Sequence, residues 1–462
     1  MTRKYFAPTP PSEDVRSSYR VSLEDQIILI DKANENAARS EDLLCEAERM
    51  TDLAKAIEDL AVIADGIEKP TATQLDLIDN VAQMACAGTD MPPEQVLGGP
   101  ELAVGQAIAT EGWRETAGKI WAAIKALVKK IWDAIDKFFK VHVILPTIHA
   151  KLQVYLKQLK NRTGQLKYGA NPVMPVQHGI NYLSNGIRVM RSMPEWTKEL
   201  ERFASAVQMV YVDNPQRIAT LADGLATAIA RWDPDNTDQV AQDMRHALLQ
   251  SQHMKSSLPL NMTSNEGEFK LHSCQEVLGC VYFQLRTFED NESLGNLETI
   301  ERMRHGGLAM LEGEDPKDDE IMFKHAQANV YERAVQLMND MLQKIAQFNK
   351  SGGALHQLKS ARARLEKASD EAIIEAEKLV EERPAEASFV KSMLDFNPAF
   401  ARWVQQPGVV FYTKVIGLAR MLMMIIAHYC SVYDVQDPNK EKAIVAELQG
   451  QQAPQKQAAP AF

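Results

Sequence analysis

Cysteine is scarce in this 462-residue chain and shows no paired spacing: Cys45, Cys86, Cys274, Cys280 and Cys430 are scattered and odd in number. A disulfide framework is excluded, and reduced thiols in an intracellular setting are expected. Aromatic residues make up only 7% of the chain, while Ala, Leu, Glu, Gln, Lys and Met are abundant, which favours helices. No stretch alternates apolar and polar residues with β-branched enrichment, so sheets are not expected. The N-terminal MTRKYFAPTPPSEDVRSSYR has no apolar core and is not a secretory signal. The most apolar run, Val409–Tyr433, is interrupted by Lys414 and Arg420. That leaves too short a charge-free span for a bilayer and reads as the core helix of a soluble protein.

Catalytic signatures are missing as well. Of ten histidines, none form a pair at the four-residue spacing that puts two imidazoles on one metal; His142/His149 and His246/His253 are seven apart. There is no CxxC, P-loop lysine, GxSxG or dinucleotide glycine pattern. The acidic run Glu312–Glu320 (EGEDPKDDE) lacks the ligand spacing and central glycine of a calcium loop and reads as an exposed loop. Glu381/Glu382 read as a solvated helix face. The chain is therefore expected not to be an enzyme and to need no cofactor or metal.

What is present is a sharp sorting of charge. Residues 1–111 hold 9 Lys+Arg and 21 Asp+Glu, a net of −12; residues 112–168 hold 12 and 3, a net of +9. A single globular domain has no need to segregate charge in this way, and an acidic segment beside a basic one suggests a mask or a removable part. Within the basic segment, WRETAGKIWAAIKALVKKIWDAIDKFFK (113–140) gathers Trp113, Ile120, Trp121, Ile124, Leu127, Ile131, Trp132, Ile135 and Phe138 into an arc of roughly 140° at helical period. Lys119, Lys125, Lys129, Lys130, Lys137 and Lys140 lie opposite. A helix is predicted there, with its lysines exposed.

The fold class expected is all-α: a multi-helix body, the amphipathic basic helix, and a separate acidic helical N-terminal segment. The segments are residues 1–111 (acidic, helical, propeptide-like), 112–168 (basic, amphipathic and helical, with Pro146 ending or kinking the first helix and Lys151–Tyr168 continuing in helical style), 169–315 and 316–434 (helical body in two parts, the second with the hairpin) and 435–462 (a disordered tail). Gly88–Pro100, with its Pro-Pro and Gly-Gly-Pro, marks a boundary. Prolines 194, 215, 234 and 259 punctuate the first body part. In the second, helices are expected over Glu320–Lys350, Ala354–Glu382 and Pro407–Tyr433, the first two forming an antiparallel hairpin about Ser351-Gly352-Gly353.

The order of features is an acidic leader, then Ala109-Thr110-Glu111, then Gly112-Trp113 and a Lys/Trp-rich amphipathic helix. It resembles the internal head (inner-body) proteins of giant tailed bacteriophages of the phiKZ kind. The resemblance covers residues 1 to about 145. It implies cleavage after Glu111 by a prohead protease that recognises Ser, Ala or Gly, any residue, then Glu. It further implies location in the capsid with the DNA, contacts with other head proteins, and ejection into the host cytoplasm. Glu24, Glu35, Glu58, Glu68, Glu101, Glu266 and Glu371 also satisfy the tripeptide. Glu111 is set apart by the linker before it and the change of charge at it.

Three roles stay open for the basic helix with Trp113, Trp121 and Trp132: docking on the body, neutralising DNA phosphates, or lying in a membrane interface. The alternative identity is an intracellular helical effector or adaptor whose acidic segment masks a membrane- or partner-binding helix.

Overall fold

Helix is the larger part of the structure but not the whole of it. The computed structural model describes Lys129 and residues 144–450, except 253–255, 268, 289–298, 301, 303–305 and 378–395. Of its interpretable part, 62% is helical and 17% is strand. The all-α expectation is therefore corrected: among the described residues three antiparallel sheets are built into a helical body.

The order is α1 (Ile144–Lys160), β1 (Arg162–Leu166), β2 (Val173–Val176), α2 (Met193–Gln208), a π-helical turn (Met209–Asp213), α3 (Asn214–Ile229) and α4 (Thr237–Gln252). Then come β3 (Met262–Glu266), β4 (Phe269–Ser273), β5 (Val281–Phe288), β6 (Gly307–Glu312) and β7 (Ile321–Lys324). The body ends in α5 (Ala328–Asn349), α6 (Ala354–Glu377), α7 (Phe396–Val432), β8 (Tyr433–Val435) and α8 (Pro438–Gly450). β3–β6 form one four-stranded sheet in sequence order, while β1 pairs with β8 and β2 with β7.

The core is organised by α7. Phe400, Trp403, Phe411, Tyr412, Val415, Leu418, Leu422, Ile425 and Tyr429 are all buried, and so are Val409, Ile416 and Met423 on the far side of the helix, so burial is much wider than one stripe, as a largely enclosed helix requires. Pro407–Val432 is long and apolar enough to span a membrane by composition, but most of it is buried inside the protein. Phe411 is the meeting point of three elements. Its ring lies 4.8 Å from Phe203 of α2, 5.0 Å from Phe283 of β5 and 6.4 Å from Tyr211 of the π turn.

Two prolines predicted to bound helices instead sit inside helical runs, and the run that holds Pro215 repairs the one that holds Pro407. α7 starts eleven residues before Pro407, not at it. With no N–H, Pro407 leaves Trp403 O without its helical donor, and Asn214 Nδ2 donates there at 3.3 Å. One residue on, Tyr211 Oη donates to Gly408 O at 2.7 Å. Pro215 does not end the second run either; the π turn before it carries the chain from α2 into α3. Arg217, whose pKa burial lowers to about 10, donates to Asn214 Oδ1 at 3.0 Å and lies over the Trp403 ring.

β5 shows why the sheet was not foreseen. Val281, Phe283 and Leu285 point inward while Tyr282, Gln284 and Arg286 are half-exposed. This is a period-2 pattern, but Tyr282 breaks it on any apolar/polar count. The run from Lys151 to Tyr168, predicted helical throughout, turns into β1 after Lys160 because its backbone groups pair with β8. Glu320–Lys350 likewise opens as β7 before α5 begins at Ala328. The Gly352 turn is present, at φ +80°. The helices it joins do not make the expected hairpin, because α6 packs along α3 much more extensively than against α5.

Candidate functional site

Of the residues singled out in the sequence, Ala109, Thr110, Glu111, Gly112, Trp113, Lys119, Trp121, Lys125, Lys130, Trp132, Lys137 and Lys140 lie outside the described residues. Lys129 is helical and exposed. The remainder of the basic segment, from Ile144, is described, and most of its charge is used within the protein. Ile148, Leu152, Tyr155 and Leu159 put one face of α1 into the core, where it meets α5, α7 and α8. Lys151 is buried. Lys157 Nζ pairs with Glu447 of α8 at 2.8 Å. Arg162, 4% exposed at its side chain, pairs with Glu441 at 2.5 Å, and Asn161 Nδ2 and Gln158 Nε2 donate to the same carboxylate. Lys167 Nζ donates to Ser431 O at 2.7 Å, and burial, with Arg162 nearby, lowers its pKa. The end of α1 and the start of β1 are thus clasped to α8 by Lys157 and Arg162.

Beside this clasp, where α7 ends, lies a second polar centre that sequence reading missed. His325, just after β7, brings Nε2 to 2.7 Å from Nδ1 of His428 on α7, with the rings stacked. His325 Nδ1 lies 2.5 Å from Tyr331 Oη at the start of α5. Tyr331 is fully buried, so its proton goes to His325 Nδ1, and His325 in turn donates from Nε2 to His428 Nδ1. Tyr429 and Tyr433, stacked at 4.2 Å, close the cluster. Burial, and then the neighbouring His428, push His325 down to about 4, and burial lowers His428 as well. Both imidazoles are neutral at pH 7. The adjacent Cys430 thiol is pushed up to about 11 by burial and is not a nucleophile. The 103 residues between the two histidines hide this pair from any local-spacing rule.

This centre joins β7, α5 and α7. His325 spends both ring nitrogens on protein partners, and among the described residues no group of three or more His, Cys, Asp or Glu could hold a metal. The acidic loop after β6 is exposed, with Glu312 paired to Lys414 and Asp318 to Arg191.

The sequence profile of the phiKZ-like phage internal head proteins matches residues 24–261, just over half of the chain. The chain belongs to that family. It is a structural protein of the phage head, located inside the capsid. The match runs through α1–α4 and stops one residue before β3. No curated protein and no solved structure matches the chain.

Proposed function

We propose that this internal head protein is made with an acidic propeptide, residues 1–111, which the prohead protease removes by cutting after Glu111. The freed form then contacts packaged DNA through the basic helix 113–140 and leaves the capsid with the DNA. The observation that carries this reading is the fate of the cations. The leader's −12 faces a segment of +9, and Lys157, Arg162 and Lys167 of that segment are bonded to groups of the body. An outside anion is left with the cations before Ile144, Lys119, Lys125, Lys129, Lys130, Lys137 and Lys140 among them, and with the exposed Lys160. Before cleavage the leader offsets that local charge.

Peptide mapping of purified virions tests the cut: a non-tryptic peptide starting at Gly112, with residues 1–111 missing, is expected. Glu111→Gln should retain the leader in mature particles. The form starting at Gly112 should bind DNA more tightly than the full chain, with affinity falling as salt rises, because counterion release drives such contacts. Equal binding by both forms would remove the masking role and leave the leader as a targeting element. Binding to anionic liposomes but not DNA would transfer the function to the apolar face with Trp113, Trp121 and Trp132. An intact N-terminus in virions would sink maturation at this site.

A further inference from the structure

The four-stranded sheet has two edges, and the protein treats them differently. β6 is covered by α7: Gly307, at φ +138°, lies so close to Trp403 that a Cβ would sit 2.5 Å from the indole. β3, at the other edge, is exposed along its whole length. Natural edges are usually blunted by proline, lysine or a bulge. β3 (MTSNE) has none of these, and its register on β4 runs unbroken from Met262↔Ser273 to Glu266↔Phe269.

The register also fixes which backbone groups face outward. Glu266 and Phe269 flank a two-residue turn containing Gly267 at φ +61°, and turns of this kind are closed by a hydrogen-bonded pair. Bonded and non-bonded pairs then alternate along the ladder. Residues 262, 264 and 266 spend their N–H and C=O on β4, and those of Thr263 and Asn265 point away from the sheet.

We propose that β3 is a self-association edge, on which two copies of this chain pair antiparallel about a two-fold axis through Ser264. Their sheets join into one of eight strands. On that axis each Thr263 meets an Asn265 of the other copy, and both residues offer outward groups, so four backbone hydrogen bonds form. Ser264 meets itself. Glu266, the one charge on β3, falls opposite Met262, so no like charges face each other across the seam. On its own sheet Glu266 is balanced by Arg286, 3.6 Å away. This charge and register match is what selects a second copy as the occupant. Because the two-fold closes on itself, a dimer results and not a fibre. A seam of five residues is small beside standard interfaces, so association should be weak and concentration-dependent.

Sedimentation velocity on the full-length chain over a concentration series tests this. The mass should rise from that of one chain, 51.7 kDa, toward twice that value. Thr263→Pro and Asn265→Pro each delete an outward N–H, a position where an edge strand accepts proline. Each should sediment as a single chain at every concentration, with unchanged far-UV circular dichroism and melting temperature. Hydrogen exchange at Thr263 and Asn265 should slow as wild-type concentration rises. Wild-type protein that stays at one chain's mass, or proline variants that associate like wild type, would overturn the proposal.

Discussion

Residues 144–261 and 262–450 differ in kind, yet they share one continuous core. The first part holds α1–α4 with two short strands and falls within the family match. The second holds the four-stranded sheet and α7. α2 packs on α5, α3 on α6, and α1 on α5, α7 and α8. Phe411, from the second part, touches Phe203 in the first and Phe283 in its own. The helices that carry the family pattern therefore bury much of their apolar surface against residues beyond it, although α3 and α4 also pack on each other. The end of a recognisable pattern is not the end of a folding unit.

The largest effect expected from this comparison is on a fragment ending at residue 261. It should lack a cooperative melting transition by calorimetry, since helices deprived of their partners keep little stability from propensity alone. In the intact chain, Phe411→Ala should lower stability by about 3–5 kcal/mol and leave a single transition. Two transitions, or cooperative melting of the fragment, would show that the two parts fold independently.

A smaller effect sharpens the comparison at the clasp between α1 of the first part and α8 of the second. Glu441→Gln leaves Arg162 charged and buried without its counter-ion, a change that costs about 3–5 kcal/mol in comparable buried pairs. Lys157→Ala breaks the solvent-exposed pair one turn away and should cost at most about 1 kcal/mol. Urea midpoints of the two variants measure the difference. Similar losses would mean that the clasp is a surface ion pair throughout.

Helical periodicity made most of α2–α7 legible, because their apolar residues recur at three- and four-residue steps whatever lies opposite. The Gly352 turn was equally local. The sheet was not legible: β3 has no apolar face at all, and in β5 Tyr282 stands on the outward side and hides the alternation. Prolines misled because the compensation for Pro407 comes from Asn214, 189 residues away in sequence. The role of Arg162 was hidden for the same reason. A lysine or arginine reads as solvent-facing until a distant carboxylate such as Glu441 is found beside it. Charge segregation between leader and basic segment was visible from sequence; which of those charges remain available was not.

The smallest predicted effect sets the clasp, which stays charged, against the neighbouring His325–His428 pair, which is held neutral. In the unfolded chain histidine titrates near 6.5; in the fold, burial holds His325 to about 4 and lowers His428 too. Between these values the unfolded state binds more protons, so stability is full above about pH 6.5 and is lost as pH falls toward 4. For His325 the loss should reach about 1–3 kcal/mol, the lower end allowing for its partial exposure. Carboxylates also titrate at the acid end of this range, so the informative quantity is a difference between proteins. His325→Phe should start less stable, because Tyr331 Oη loses its partner, but its urea midpoint should fall less steeply from pH 6.5 to 5 than that of the wild type. Parallel pH profiles would mean that the imidazole pair is protonated in the fold as readily as in the unfolded chain, and that the stack seen between β7 and α7 imposes no neutrality.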